Sequence, residues 1–325
     1  MSGRLVPRIL AIALALVLTP HAVALALGPC FLLKWGEAGT GPGQFRLVTG
    51  IAVDSQGNVY VSDQDNCRIQ VFTNSGVYLR EWGSCGSGSG QFGSQDHIAF
   101  GAGDTLFVAD DRNSRVQVFT SSGQFVRMWG SHGSGDGQFL RASGIAQDAS
   151  GNVYAGDYDR PSIQKFTSQG VFLESWNPGG RVNGIAIDKN TGDVYVACGG
   201  SGGGTVRKFT SDGVLIKEFW SPIGFDWPYG VAVPSSGDLV YVAEATGSRI
   251  QVFDRDGLYR FTWGSKGTGD GQFDYALAIA FWEHPGSEFA EAFVADQYNN
   301  RVQKFCDCPV PVNVWSWGKV KATYR

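Results

Sequence analysis

The sequence predicts an all-β fold, a six-bladed β-propeller whose blades are four-stranded antiparallel sheets. Three observations lead to this prediction. A unit of roughly 47 residues recurs six times, each copy contains four short β-patterned pieces, and 46 glycines among 325 residues supply many tight turns. The phenylalanines that close the six copies are separated by 47, 47, 43, 44 and 52 residues. A β-helix would have a much shorter period, and a β-sandwich would show no such repeat.

The first segment of the chain has the order of a secretory signal peptide. Arg4 and Arg8 precede an apolar run over 9–18, and small residues follow at Ala24 and Ala26. A basic N-terminal region, an apolar central region and small residues at the cleavage site are typical of a cleavable signal peptide. The alternative is an uncleaved anchor, although the apolar run is short for a membrane span.

Cleavage defines the expected mature protein. We expect residues 1–26 to be removed and residues 27–325 to form a single propeller domain, with a C-terminal tail from about residue 319. The loss of two arginines takes the net charge from −4 to −6. An exported acidic chain is a poor partner for nucleic acid or anionic lipid. We therefore expect a secreted or periplasmic protein that binds no nucleic acid and, after cleavage, no membrane.

The first copy shows the four predicted strands in order. They read GIAV at 50–53, NVYVSD at 58–63, CRIQVF at 67–72 and VYLREW at 77–82. The connections DSQGN and TNSG are rich in the residues that form hairpin turns. We expect the third and fourth strands to pair Phe72 with Val77 and Arg68 with Glu81.

The repeated phrases resemble the NHL repeat. WGSHGSGDGQF, SGIAQDASGNVY and DDRNSRVQVF carry the likeness, which covers nearly all of residues 31–318. The resemblance implies a six-bladed propeller that serves as a platform for protein or RNA, with a few enzymes among its relatives. The fourth copy departs most, because CGGSGGGTVRK stands where other copies have an acidic residue, Asn and Arg.

Strand direction separates two faces of the predicted propeller. The turns DSQGN and TNSG lie on one, the turn face, while DQDN and WGEAGTGPGQF lie on the other, the long-loop face. Long variable loops on a rigid scaffold usually carry binding function. On that side, one residue at the entrance of each inner strand should point into the mouth of the central channel. These entrance positions are Thr49, Asp96, Ser143, Asn183, Tyr229 and Leu277.

The channel mouth is the predicted ligand pocket. His97 stands where four other copies have glycine, and the loops leading into blades four and five are short. An uneven polar and aromatic rim of this kind can bind a small ligand. We expect Asp96, His97, Asn183, Trp227 and Tyr229 to form the pocket. The alternative is that Trp227 and Tyr229 plug the channel.

A set of Asp, Asn and Arg recurs at the loop between the second and third strands. It consists of Asp63, Asn66 and Arg68 in the first copy, with counterparts in the second and sixth. Regular recurrence favours a structural role, in which the arginine holds a loop carboxylate, over ion or substrate binding. The sequence contains no EF-hand loop, and its histidines are scattered. We therefore assign no catalytic residue and no metal ligand.

Two functions remain open. The first is a monomeric, non-catalytic binding platform for a protein or a small extracellular ligand, which needs no cofactor. The alternative is a metal-assisted lyase or hydrolase, similar to the amidating lyases or the lactonases, that uses Asp96, His97 and Asn183 at the channel mouth. Calcium or zinc is expected only under this alternative.

Six cysteines would meet an oxidising environment after export, so disulfides are expected. Cys67 and Cys85 leave the same end of one predicted hairpin and are expected to bridge. Cys198 and Cys308 have no evident partner in the repeat.

Seven segments match the fourth strand of a blade, although six blades need only six. FLLKW at 31–35 and VNVWSW at 312–317 compete for the last blade. If residues 31–35 complete it, Cys30 and Cys306 face each other across a hairpin turn and their disulfide closes the ring. Cys308 is then a competitor for Cys30.

Overall fold

The computed structural model describes residues 29–200, 203–283 and 290–307. Within these residues, six four-stranded antiparallel sheets form six blades, and neighbouring inner strands contact each other around a closed ring. The predicted six-bladed propeller is therefore confirmed. In this part of the chain no helix is long and apolar enough to cross a membrane. The expected signal at 1–26, the VNVWSW segment, Cys308 and the C-terminal tail lie outside the described residues.

Each blade runs from an inner strand at the channel to an outer strand at the rim. The inner strands are Val48–Val53, Gln95–Phe100, Ala142–Gln147, Arg181–Ile187, Pro228–Ala232 and Ala276–Glu283. The second strands are Val59–Asp63, Leu106–Asp110, Val153–Asp157, Val194–Gly200, Leu239–Glu244 and Ala290–Asp296. The third strands are Arg68–Phe72, Arg115–Phe119, Ser162–Phe166, Gly203–Phe209, Arg249–Asp254 and Arg301–Asp307. The outer strands are Tyr78–Trp82, Phe125–Trp129, Phe172–Trp176, Leu215–Glu218, Tyr259–Trp263 and Cys30–Trp35.

Short elements complete the loops of the described residues. Two-residue parallel strands pair within two long loops, Glu37–Ala38 with Gln44–Phe45 and Ser265–Lys266 with Gln272–Phe273. Three-residue 3₁₀ turns lie at Gln64–Asn66, Ala102–Asp104 and Asp111–Asn113.

The N-terminal strand closes the ring. Cys30–Trp35 pairs antiparallel with Arg301–Asp307 and so supplies the outer strand of blade six. The predicted disulfide between Cys30 and Cys306 forms at this junction, with a Cα separation of 5.3 Å. The first and last strands of the propeller are therefore joined both by backbone hydrogen bonds and covalently.

A second disulfide lies in blade one, and one cysteine of the described residues has a free thiol. Cys67 and Cys85 bridge as predicted, with Cα atoms 5.0 Å apart. Cys198 is a buried free thiol in blade four. Burial raises the pKa of Cys198 to about 11 despite the nearby guanidinium of Arg207. This thiol is therefore protonated and unreactive at neutral pH.

Neighbouring blades interlock through an aromatic ring placed over a glycine. Gly123 adopts φ +90° in the last turn of blade two, and a Cβ there would lie 2.7 Å from the Trp82 ring of blade one. Only glycine combines this backbone conformation with such a close approach. Trp35 covers Gly76 in the same way, so the N-terminal strand occupies the usual place of an outer strand.

The strand pairing within blade one differs slightly from the expected register. Phe72 pairs with Tyr78 and Gln70 pairs with Glu81, one and two positions from the expected pairs. The register shifts between Val71 and Phe72. A bulge inserts one extra residue into a strand, and residue spacing alone does not reveal it.

Candidate functional site

The recurrent Asp, Asn and Arg residues fasten the long loops to the blades. In blade one, the carboxylate of Asp63 accepts hydrogen bonds from Asn66 Nδ2 and Arg68 Nε, both at 2.8 Å. Nη2 of Arg68 then donates to the backbone oxygens of Gly41 and Gln44 at 2.8 and 2.9 Å. We call this arrangement the Asp–Arg clasp. It confirms the predicted structural role of the set.

The clasp recurs in other blades and shows which loops lie on the long-loop face. Arg115 binds Asp110 at 2.8 Å in blade two, and Arg301 binds Asp296 at 2.7 Å in blade six. In each blade the arginine reaches backbone oxygens of the preceding long loop. The loops between second and third strands therefore lie on the same face as the long loops, as the strand directions predicted.

Three of the six entrance residues turn sideways to the next blade. Each donates a side-chain hydrogen bond to a backbone carbonyl, at 3.0, 2.7 and 2.7 Å: Thr49 to Gln95, Ser143 to Val182 and Asn183 to Pro228. These donors join neighbouring inner strands. Within the described residues, Oδ1 of Asn183 has no hydrogen-bond partner.

Tyr229 spans the channel mouth from blade five to blade two. Its hydroxyl donates to Asp96 Oδ1 at 2.7 Å, and its ring stacks on His97 with centroids 5.3 Å apart. Burial and the Asp96 carboxylate raise the pKa of Tyr229 well above its usual value, so the phenol remains a proton donor. Asp96, His97 and Tyr229 thus come together, but as a bridge across the mouth.

A second ring of side chains surrounds this bridge on the long-loop face. Its members occupy one repeat position, at or just before the start of each inner strand. They are Leu47, Ser94, Arg141, Arg181, Trp227 and Tyr275. We call this set the rim ring. Trp227 has φ +56°, close to the φ of Leu47 and Tyr275, so these three members share one backbone conformation.

The rim ring is basic and aromatic over blades three and four. The guanidinium carbons of Arg141 and Arg181 lie 4.7 and 5.2 Å from the centroid of the Tyr158 ring, within cation–π distance. Arg141 also donates to both carboxylate oxygens of Asp111, at 2.8 and 2.5 Å. Burial raises the pKa of Asp111, and Asp111 in turn raises the pKa of Arg141. Arg181 forms no salt bridge among the described residues.

Sequence reasoning did not single out Arg141, Tyr158 or Arg181. One signal could have found them, because the repeat position that holds both arginines has a different kind of residue in other copies. Where the side-chain type at one repeat position differs between copies, the fold of the repeat does not depend on that side chain. Side chains at such a position are free to serve binding.

Three cavities of the described residues meet the predicted pocket residues only at His97. One, of about 510 Å³, opens on the turn face, and another, of about 220 Å³, is the central channel. A groove of about 530 Å³ runs beside the Cys67–Cys85 disulfide. His97 lines the channel, whereas Asp96, Asn183, Trp227 and Tyr229 line none of these three. No group of three His, Cys, Asp or Glu side chains in the described residues is arranged to hold a metal ion.

Comparison with known proteins identifies the class of propeller. The model of the NHL repeat matches residues 45–72, which span the first inner strand through the third strand of blade one. This match agrees with the six-bladed architecture. The chain therefore contains an NHL repeat within a six-bladed β-propeller, in agreement with the NHL family.

Curated relatives match over short stretches. The human E3 ubiquitin-protein ligase TRIM32 is 52% identical over 46 residues, and Protein brain tumor of Drosophila melanogaster is 31% identical over 105 residues. Human NHL repeat-containing protein 3 is 48% identical over 44 residues. These matches cover 14%, 30% and 13% of this chain, and 7%, 10% and 13% of the relatives.

Solved structures share the fold at low identity. A gluconolactonase from Xanthomonas campestris superposes with a TM-score of 0.63 at 16% identity, covering 82% of this chain and 87% of its own. A streptogramin B lyase gives 0.57 at 13% identity, with coverages of 84% and 86%. A nidogen/laminin complex gives 0.54 at 19% identity, with coverages of 68% and 81%. At these identities the likeness concerns the fold alone.

Proposed function

We propose that this chain is an exported, monomeric, non-catalytic platform that binds a partner protein through its long-loop face. The rim ring carries the proposal. Arg141, Arg181, Trp227 and Tyr275 are partly or fully exposed around a mouth that Tyr229 bridges. Arg, Trp and Tyr are the side chains that contribute most to binding energy at protein interfaces.

Two further observations support the proposal. The two disulfides are typical of proteins in oxidising compartments, which favours secretion or a periplasmic location. One relative is named as an E3 ubiquitin-protein ligase, an activity directed at proteins. The second observation favours a protein partner over a small ligand.

Photocrosslinking tests which face binds the partner. A benzophenone amino acid placed at Trp227 or at Tyr275 should form adducts with a protein, whereas the same group at Gln169 on the turn face should not. The substitution Arg181→Glu should weaken the adducts, since it reverses the charge of the unpaired guanidinium. Equal adducts from the two faces, or none from the long-loop face, would contradict the proposal.

Metal content distinguishes the alternative function, a metal-assisted lyase or hydrolase, from the binding platform. Elemental mass spectrometry of residues 27–325 after exhaustive dialysis should find no stoichiometric calcium or zinc under the platform hypothesis. About one tightly held ion per chain, lost in the triple variant Asp96→Ala, His97→Ala, Asn183→Ala, would favour the enzyme instead.

A further inference from the structure

A vestibule opens into the propeller on the turn face, opposite the rim ring. It holds about 510 Å³ and is lined by residues of blades one, two, four, five and six. It shares a set of lining residues with the central channel: Val53, Phe100, Lys189, Ala232 and Val233. The two spaces therefore adjoin at these residues, which we call the neck.

The channel behind the neck has mostly aliphatic walls. Each blade contributes Ile, Val or Ala side chains to its wall, over a volume of about 220 Å³. At the far end it meets His97, which is 9% exposed and stacked on Tyr229. Four residues of an inner strand, from His97 to Phe100, span about 10 Å. The space thus suits one slender aliphatic chain.

His97 adds a polar feature at the far end. Its Nδ1 lies 3.6 Å from Asp96 Oδ1, and its Nε2 has no hydrogen-bond partner among the described residues. An unpartnered buried polar group is normally satisfied by water or by a ligand. The Nε2 atom of this channel-lining imidazole is therefore left for water or for an occupant of the channel to satisfy.

The vestibule has an acidic and aromatic wall. Asp54, Asp104 and Glu283 line it, against the single cation Lys189. Asp104 accepts hydrogen bonds from the backbone and hydroxyl of Ser55 at 3.0 and 2.6 Å, which hold the carboxylate in place between blades one and two. The carboxylates outnumber the ammonium by two charges.

Aromatic rings complete this wall. Phe100, Phe281 and Trp282 line the same vestibule. Aromatic faces and carboxylates both attract an organic cation. From this combination we propose that the vestibule and channel bind an aliphatic amine, with its ammonium head among the carboxylates and aromatic rings and its tail in the channel. This site lies on the opposite face from the proposed protein partner and is independent of it.

Isothermal titration calorimetry with four simple probes tests the site. The probes are n-octylammonium, n-butylammonium, 1-octanol and octanoate, all below their aggregation concentrations. Octylammonium should bind most tightly and octanoate most weakly, because the head meets a net negative wall. Each methylene should tighten binding by about fourfold while the tail still gains buried surface. Octanoate binding as tightly as octylammonium, or no dependence on tail length, would overturn the proposal.

Variants separate the two parts of the site. Asp104→Asn keeps the shape of the side chain and should weaken octylammonium about two- to fivefold, whereas Lys189→Ala should strengthen it by a similar factor. Val233→Trp fills the neck and should abolish the advantage of octyl over butyl. Leu215→Trp on the exposed outer strand of blade four is the control for general amphiphile binding and should change nothing. Unchanged binding in Val233→Trp, with a native thermal melt, would refute the assignment of the channel.

Discussion

The disulfide between Cys30 and Cys306 joins residues 276 positions apart, whereas Cys67 and Cys85 are 18 apart. In the chain-entropy model, stabilisation grows with the logarithm of the loop that a disulfide closes in the unfolded state. The ring disulfide should then contribute about 5.6 kcal/mol and the hairpin disulfide about 3.2 kcal/mol. We predict that Cys30→Ala/Cys306→Ala is less stable than Cys67→Ala/Cys85→Ala by about 2.4 kcal/mol.

Urea unfolding checks this difference. Tryptophan fluorescence and far-UV circular dichroism should give coincident transitions, since a free energy requires two-state behaviour. Alanine is chosen because Cys306 is fully buried and a serine hydroxyl there would lack a partner. Each double variant is compared with the wild type, and the reduced wild type should be the least stable. Equal losses in the two double variants would refute the entropic account of ring closure.

Three further predictions concern single side chains. Arg301→Met should cost about 3–5 kcal/mol in urea unfolding, because it leaves the buried Asp296 carboxylate without its cation, and adding Asp296→Asn should restore part of the loss. Tyr229→Phe should cost about 1.5–3 kcal/mol by removing the hydrogen bond to Asp96, and an unchanged melt would contradict the bridge. The pKa of Cys198 lies above that of an unfolded thiol, so its contribution to stability is present below pH 9 and is lost as the pH rises towards 11. Alkylation of Cys198, followed by peptide mapping, should therefore be slow at pH 8 and accelerate only towards pH 11 or on unfolding.

The repeat made the architecture predictable. Blade number, strand order, the two faces and the Cys67–Cys85 disulfide follow from where turn residues and cysteines fall in each copy, whereas the Cys30–Cys306 disulfide follows only if residues 31–35 form the last outer strand. The choice between 31–35 and 312–317 could not be made from sequence, because both segments have the pattern of an outer strand. Backbone pairing of Cys30 with Cys306 resolves it for the N-terminal segment.

The candidate site was predictable only in part. Asp96, His97 and Tyr229 were expected near one another because the repeat aligns them at the channel mouth. Whether they leave an open pocket depends on side-chain reach across the channel, and Tyr229 is long enough to contact Asp96, which lies 133 residues away in sequence. The vestibule was missed because its walls come from short turns in five blades, none of which is unusual alone.

Blade four explains what the Asp–Arg clasp is for. Its second and third strands place Cys198 opposite Thr205, in the register where blade one pairs Asp63 with Arg68. The loop entering blade four is also much shorter, with eight residues from its preceding tryptophan to the inner-strand glycine against 15 in blade one. A short connection has little backbone to hold, so the clasp is dispensable there.

Blade three also supports the interpretation that the clasp serves to hold a long loop. Its long loop is kept, but Ser162 replaces the clasp arginine. Arg160 supplies the guanidinium instead, within 3.8 Å of Asp157 and bonded to the backbone oxygen of Ser134 in that loop. Long loops thus retain a buried carboxylate and an arginine even when the arginine moves along the chain. The clasps fix the conformation of the long loops and thereby keep the rim ring in one geometry. This lowers the entropic cost of binding a partner there.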